Sequence, residues 1–173
     1  DYSNILRSKT NYGIDISSNA IKDAKKKFKK LHFLKMSSLE INKIKKNFDL
    51  IICGFFLYML DREEIFNQFD LIYRKLNKNG YLIIEDFDPL FKHTNNSNHN
   101  KNFKSFKMNY DHFLEESGLF KTIYKIRKNS YFLKKTNFRK KFKSSDVSLV
   151  LLKKIDFSKS YPENIWSLKS LRL

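Results

Sequence analysis

Cysteine, proline and glycine are all scarce in this chain, with one Cys, two Pro and four Gly among 173 residues. The lone Cys53 excludes an intramolecular disulfide framework and a cysteine-based zinc cluster. Nothing therefore points to an oxidising compartment, and a reduced, cytoplasmic setting is the expectation. So little Gly and Pro also excludes collagenous and linker-type arrays. Long apolar runs are missing too. The longest, Leu50 to Leu60, has about 11 residues, whereas a helix crossing a bilayer needs roughly 20. Asp1-Tyr2-Ser3-Asn4 lacks the basic segment and apolar core of a secretory leader, and it lacks an initiator Met, so the chain is expected to be a piece of a longer protein. Acids are short as well: 18 Asp and Glu face 35 Lys and Arg, a formal net charge of +17. Such an excess attracts nucleic acid or anionic membrane. The abundance of Lys, Asn, Ile, Phe and Tyr, all residues with AT-rich codons, offers a compositional origin for the same charge. What the chain does have is 17 Phe, 9 Tyr and 41% hydrophobic residues, enough to build the core of one domain.

Hydrophobic spacing organises the first half. Asn11–Ile16 reads as a short buried strand, and Ser17-Ser18-Asn19 supplies helix-capping side chains. Ala20, Ile21, Ala24 and Phe28 then recur on one helical face, which leaves the lysine run Lys25–Lys30 as a solvated face and helix end. Leu31–Met36 is a second short strand, and Ser37–Asn47 is polar and irregular, with room for one helical turn. Phe48–Gly54 is a continuous apolar run, the pattern of a central parallel strand covered on both faces. Asp61 is placed to cap a helix carrying Ile65, Phe69, Ile72 and Leu76, with Gly80 as its stop. Tyr81–Ile84 resumes a buried strand that runs into Glu85-Asp86-Phe87-Asp88-Pro89.

After Pro89 the composition changes. Lys92–Asn102 reads as a long exposed loop, Tyr110–Ser117 as a short helix ended by Gly118, and Leu119–Ile126 and Val147–Ile155 as strands able to pair as an antiparallel hairpin around the basic insertion Lys134–Lys143. Short alternating strands and helices of this kind predict a doubly wound α/β sheet. The expected organisation is one α/β domain over residues 1–155 and a C-terminal tail over 156–173.

Ligands of open α/β sheets bind beyond the carboxyl ends of the strands. Three such ends carry suggestive groups. Asp15 offers two carboxylate oxygens spaced for a ribose diol, although an acid there equally serves as a loop or capping residue. Ser37 and Ser38 follow the second strand, where a hydroxyl or backbone amide can meet an adenine edge. Cys53-Gly54-Phe55-Phe56 follows the third, and a glycine there allows close approach to backbone.

Taken in order, Tyr12-Gly13-Ile14-Asp15-Ile16-Ser17, the helix with Ala20-Ile21 and Ala24-Lys25, Phe48-Asp49-Leu50-Ile51-Ile52 and Leu76–Ile84 closely resemble the class I S-adenosylmethionine-dependent methyltransferases from that family's second strand onward. Gly54-Phe55-Phe56-Leu57-Tyr58, Asp61-Arg62-Glu63, Asp86-Phe87-Asp88-Pro89 and Tyr110 are most similar to small bacterial members associated with surface-polysaccharide or nonulosonic sugar biosynthesis. The resemblance implies a Rossmann-like sheet with a C-terminal antiparallel hairpin and S-adenosylmethionine as cofactor. It implies that Asp15 holds the ribose and Ile16 lies against adenine. Ser37, Ser38 and Leu39 would take the adenine-edge position, with Cys53, Gly54 and Phe55 beneath the methionine moiety. Two departures stand out. The family usually has an acid where Ser37 or Ser38 stands, and its glycine-rich loop after the first strand has no counterpart. The family's first strand would lie between those ending in Asp15 and Gly54, so a central gap and an N-terminally truncated fold are expected.

Asp86, Asp88 and His93 are the candidate catalytic acids and bases, and Tyr58 and Tyr110 the candidate substrate contacts. Each has a plainer reading, Asp88-Pro89 as a turn, His93 as a solvated loop residue and Tyr58 as helix packing. His32, His93, His99 and His112 lack paired metal-ligand spacing, so no metal is expected. The leading function is methyl transfer to a small-molecule or sugar acceptor. An RNA methyltransferase using Lys25–Lys30 and Lys134–Lys143 is the alternative enzyme, and a degenerate binding module the non-enzymatic one.

Overall fold

The computed structural model describes residues 10–96, 104–128 and 146–156. The chain forms two compact units. One holds the chain up to Lys46 together with Phe66–Lys75, and the other holds Asn47–Ile65 and the chain from Leu76 onward.

In the first unit, β1 (Tyr12–Asp15) and β2 (His32–Lys35) pair in parallel through the crossover helix α1 (Ser18–Lys27). Ser17 caps α1, its Oγ accepting from Ala20 N at 3.2 Å. Ile21 is buried, while the lysines of the last turn face solvent beside the helix's negative dipole end. β1 is half-buried rather than fully covered, and its last residue, Asp15, is exposed. Ser38–Lys43 forms a 3-10 helix within the irregular segment that had room for one helical turn. The helix α2 (Ile65–Lys75) buries Phe69, Leu71 and Ile72, and Lys75 Nζ donates to the Ile44 carbonyl at 2.5 Å.

The second unit is built on a four-stranded sheet of order β3-β4-β8-β7, with β3 Phe48–Gly54, β4 Leu76–Phe87, β7 Phe120–Lys128 and β8 Val147–Lys154. β3 runs parallel to β4, whereas β8 is antiparallel to both β4 and β7, which gives the expected C-terminal hairpin pairing. Alternate residues of β4 and β8, among them Leu82, Ile84, Val150 and Leu152, fill the core with Leu57, Leu114 and Phe120. The helix α3 (Tyr110–Glu116) packs on β7 and stops at Gly118, whose φ of 71° is left-handed.

Several expectations need correction. Among the described residues β3 is an edge strand, hydrogen-bonded only to β4, and no ladder joins β1 to β3. Asp61 makes no side-chain cap; a 3-10 turn, Arg62–Glu64, leads into α2. The stop after α2 is not Gly80 either, because α2 ends at Lys75 and Asn79 takes the positive φ of 59°. Gly80 is required for a different reason: a Cβ there would lie 2.9 Å from the Asn77 carbonyl oxygen. Finally, part of the supposed loop after Lys92 is extended. β5 (His93–Asn96) and β6 (Lys104–Lys107) pair antiparallel, His93 opposite Lys107. The insertion Lys134–Lys143 and the tail from residue 157 lie outside the described residues.

Among the described residues no helix is long and apolar enough to cross a membrane.

Candidate active site at the strand ends

In the first unit, the end of β1 presents Asp15 with its Oδ1 fixed by the Ser17 amide at 2.7 Å. Ile16 follows at 72% exposure, an apolar surface beside a pinned carboxylate. Ser37 is less available than expected. It completes a capping box: its Oγ accepts from Leu39 N at 3.3 Å, and Glu40 Oε2 accepts from Ser37 N at 3.1 Å. The acid that sequence reasoning missed near this strand end is thus Glu40, which caps the 3-10 helix and pairs with Lys43. Ser38 is the hydroxyl of the pair that is not engaged in this box.

In the second unit, the ends of β3 and β4 carry the other candidate residues. Cys53 is buried, and burial, then the charge of Asp86, pushes its thiol up to about 12. It is a packing residue and not a nucleophile. Gly54 is exposed, and a Cβ built on it meets nothing within 4 Å. Phe55 then sits at φ 50°, a left-handed conformation that costs a phenylalanine energy. Its amide is held by the Glu85 carbonyl at 2.8 Å. Phe55 and Tyr58 both meet the Phe87 ring edge-on, at 6.1 and 4.8 Å between centroids.

Asp86 and Asp88 share the end of β4 but have opposite electrostatics. Asp86 is 2% exposed and accepts from Leu57 N at 3.1 Å and Phe87 N at 2.7 Å. Burial outweighs these hydrogen bonds and lifts its carboxyl to about 6. Tyr58, half-buried beside it, is raised by its own burial and then by the Asp86 charge. Burial also pushes Asp88 up, but Arg127 and Lys125 outweigh it and hold its carboxyl below the usual range. Asp88 is 1% exposed, bonded to Lys125 at 3.0 Å, Arg127 at 2.5 Å and Asn109, and Lys125 continues to Asp111 at 2.7 Å. This is a structural ion network linking β4, α3 and β7. It leaves Asp88 no role as a base.

Tyr110 also departs from its expected substrate contact. Its ring is 1% exposed, and its hydroxyl lies 2.7 Å from the Phe106 carbonyl and 3.1 Å from that of Leu57, while accepting from Arg62 Nη1 at 3.2 Å. Arg62 in turn donates to the Leu57 and Leu60 carbonyls and stacks on Phe106. Together they brace the turn that carries Leu57 and Tyr58.

His93 Nδ1 lies 2.9 Å from the Phe91 carbonyl and donates to it. Its Nε2 is enclosed without a hydrogen-bond partner. Opposite it on β6, Lys107 places its ammonium 3.8 Å over the Phe87 ring. Burial lowers the Lys107 pKa against the opposing pull of Asp86. Nothing in the sequence singles out Lys107 from the other cations. Among the described residues no three His, Cys, Asp or Glu side chains converge as a metal site.

A βαβ unit whose first strand ends in an exposed acid, and a second sheet in which β8 alone runs against its neighbours, are the parts of a Rossmann-like α/β fold. A family model described as a methyltransferase domain matches residues 2–144, and the chain belongs to that family, the class I S-adenosylmethionine-dependent methyltransferases. No curated protein matches it by sequence. The fold is similar to N-methyltransferase NodS from Bradyrhizobium japonicum WM9, solved with S-adenosylhomocysteine, at TM-score 0.61 and 14% identity over 86% of this chain and 68% of that one. A Burkholderia thailandensis 1,6-didemethyltoxoflavin-N1-methyltransferase gives 0.62 and 12% over 90% and 66%. A putative S-adenosylmethionine-dependent methyltransferase from Listeria monocytogenes gives 0.64 and 11% over 90% and 84%.

Proposed function

We propose that this domain, which we take to extend through Ile155, transfers a methyl group to an oxygen or nitrogen of a small-molecule or sugar acceptor in a cytoplasmic setting. The observation that carries the reading is the end of β3, where an open Gly54 precedes a Phe55 held at φ 50°. Backbone strain at a solvent-open strand end is a mark of a ligand site, and nothing among the described residues fills the space a Gly54 side chain would enter. The residues fit S-adenosylmethionine: Asp15 for the ribose, Ile16 and Ser38 with Leu39 for adenine, and Gly54 with Phe55 for the methionine end. When bound, the cofactor supplies an electrophilic methyl group on a sulfonium.

The chain's own residues then have two tasks. The aromatic group of Phe55, Tyr58 and Phe87 excludes water and offers ring surface to the apolar face of an acceptor. His93, its ring oriented by the Nδ1 contact with the Phe91 carbonyl, is the candidate base for the acceptor's proton, which a turn of the β5 end would have to bring to Nε2. Asp86 is a positioning residue, holding Leu57 and hence the Tyr58 turn from beneath. Asp88 and Tyr110 support the frame.

Calorimetry with S-adenosylhomocysteine on the full chain tests the cofactor assignment. Asp15→Ala is expected to weaken binding about tenfold or more, since a charged hydrogen bond is worth roughly 1.5–3 kcal/mol; unchanged affinity sinks the ribose role. Radiolabelled methyl transfer to a panel of sugar nucleotides and RNA oligomers tests the acceptor. Labelling of RNA alone would transfer the reading to the RNA enzyme.

A further inference from the structure

The opposite end of the four-stranded sheet is chemically unlike the site above. There the start of β4, the start of β7 and the end of β8 enclose a recess of about 330 Å³ lined by Lys78, Asn79, Lys121, Lys153, Lys154 and Asp156, with Ile155 at its wall. Lys121 and Lys153 are direct register partners on β7 and β8. Like charges placed directly opposite on an antiparallel pair repel and destabilise it. The one carboxylate in the recess, Asp156, bonds Lys78 at 2.9 Å, and Lys154 keeps one donor on the Leu76 carbonyl at 2.8 Å. Among the described residues, four lysines and this one carboxylate line the recess. A solvated lysine surface disperses its charges. This one gathers them in a concavity and half-buries Lys153 and Lys154.

We propose that this recess binds a phosphoryl anion. Several flexible ammonium groups converging from different strands suit a tetrahedral group with oxygens in several directions, whereas a planar carboxylate is matched better by arginine. Asn79, fixed at φ 59° on the rim, adds a neutral amide donor. The phosphoryl group belongs either to a phosphorylated small molecule or to the backbone of a single-stranded nucleic acid. Because the recess lies at the end of the sheet away from Gly54 and Asp86, this binding stands or falls independently of the methyl-transfer reading.

The test is titration of the full chain at low ionic strength with inorganic pyrophosphate and, separately, with a uridylate 12-mer. The double variant Lys121→Gln/Lys153→Gln is expected to lose about tenfold or more in affinity, while Lys22→Gln/Lys26→Gln on the exposed face of α1 stays within about twofold. Without ligand the first variant is expected to melt no lower than wild type, because it relieves an opposed pair, so lost binding cannot be ascribed to unfolding. Binding of pyrophosphate identifies a small phosphorylated ligand. Binding of the 12-mer alone, weakening roughly 20-fold between 50 and 200 mM salt for about three phosphate contacts, identifies a polymer. Equal losses in the two double variants, or no binding of either probe to wild type, overturn the proposal.

Discussion

The paired strands β3 and β4 have a glycine at each end, and the two are there for opposite reasons. At the amino end of the sheet Gly80 is forced by packing, since a Cβ would lie 2.9 Å from the Asn77 carbonyl and 3.3 Å from that of Asp49. At the carboxyl end Gly54 is forced by nothing within the described protein. The charges divide the same way: buried carboxylates sit at the open end and lysines at the closed one. A glycine that packing does not need leaves room for a ligand, and one that packing does need serves the fold. The carboxylates at the end of β4 repeat this lesson at a spacing of two residues.

The comparison breaks most visibly at Asp88. Asp88→Ala leaves Lys125 and Arg127 facing one another across an empty buried site, so unfolding in urea should show a loss of about 3–4 kcal/mol, slightly reduced because both cations reach solvent. A loss below about 1 kcal/mol would mean the network is ornamental. Asp86 responds in the other direction. Its folded-state carboxyl, at about 6, lies above the ordinary 3.8, so its contribution to stability is complete below that ordinary value and is lost as pH rises through 6. Between pH 4 and 7 that component is about 2–3 kcal/mol, and Asp86→Asn should lack this slope. Asp88, held low, loses its contribution only as pH falls below the ordinary carboxylate range. Parallel pH profiles for wild type and Asp86→Asn would remove the contrast.

At the lysine end, Gly80→Ala should cost about 1–2 kcal/mol, because backbone oxygens rather than flexible side chains meet the new methyl group. Thermal unfolding reads this directly. A neutral Gly80→Ala would show that the Asn77–Gly80 turn relaxes freely.

Local signals in the sequence were sufficient for the elements that depend on neighbours in the chain. Ser17 caps α1, Gly118 ends α3, and the apolar residues Val147, Leu149, Val150, Leu151 and Leu152 mark β8, because each is decided within a few residues. The strand ends carrying Asp15 and Gly54 were legible for the same reason. The division of labour between Asp86 and Asp88 was not, since the cations that pair with Asp88 lie 37 and 39 residues away along the chain. The Tyr110 hydroxyl was misread because its partner, the Leu57 carbonyl, is backbone and leaves no trace in side-chain pattern. The β5–β6 arm escaped because His93–Asn96 is polar throughout and shows no alternation of apolar residues to mark a strand.

The smallest effect on stability is the most telling for function. Gly54→Ala adds a methyl group to open space, with no clash in the protein and no positive φ to strain, so the unfolding free energy should change by less than about 0.5 kcal/mol. If S-adenosylhomocysteine lies over this backbone, the same methyl group meets the ligand instead, and affinity should fall about tenfold, the penalty for overpacking one well-fitted contact. Calorimetry on Gly54→Ala beside Gly80→Ala then separates the two ends of the sheet. The first should lose ligand and keep its fold; the second should weaken the fold and, below its melting temperature, keep its ligand. If Gly54→Ala binds as wild type does, the open space at the end of β3 is not where the cofactor sits, and Phe55 at φ 50° needs another explanation.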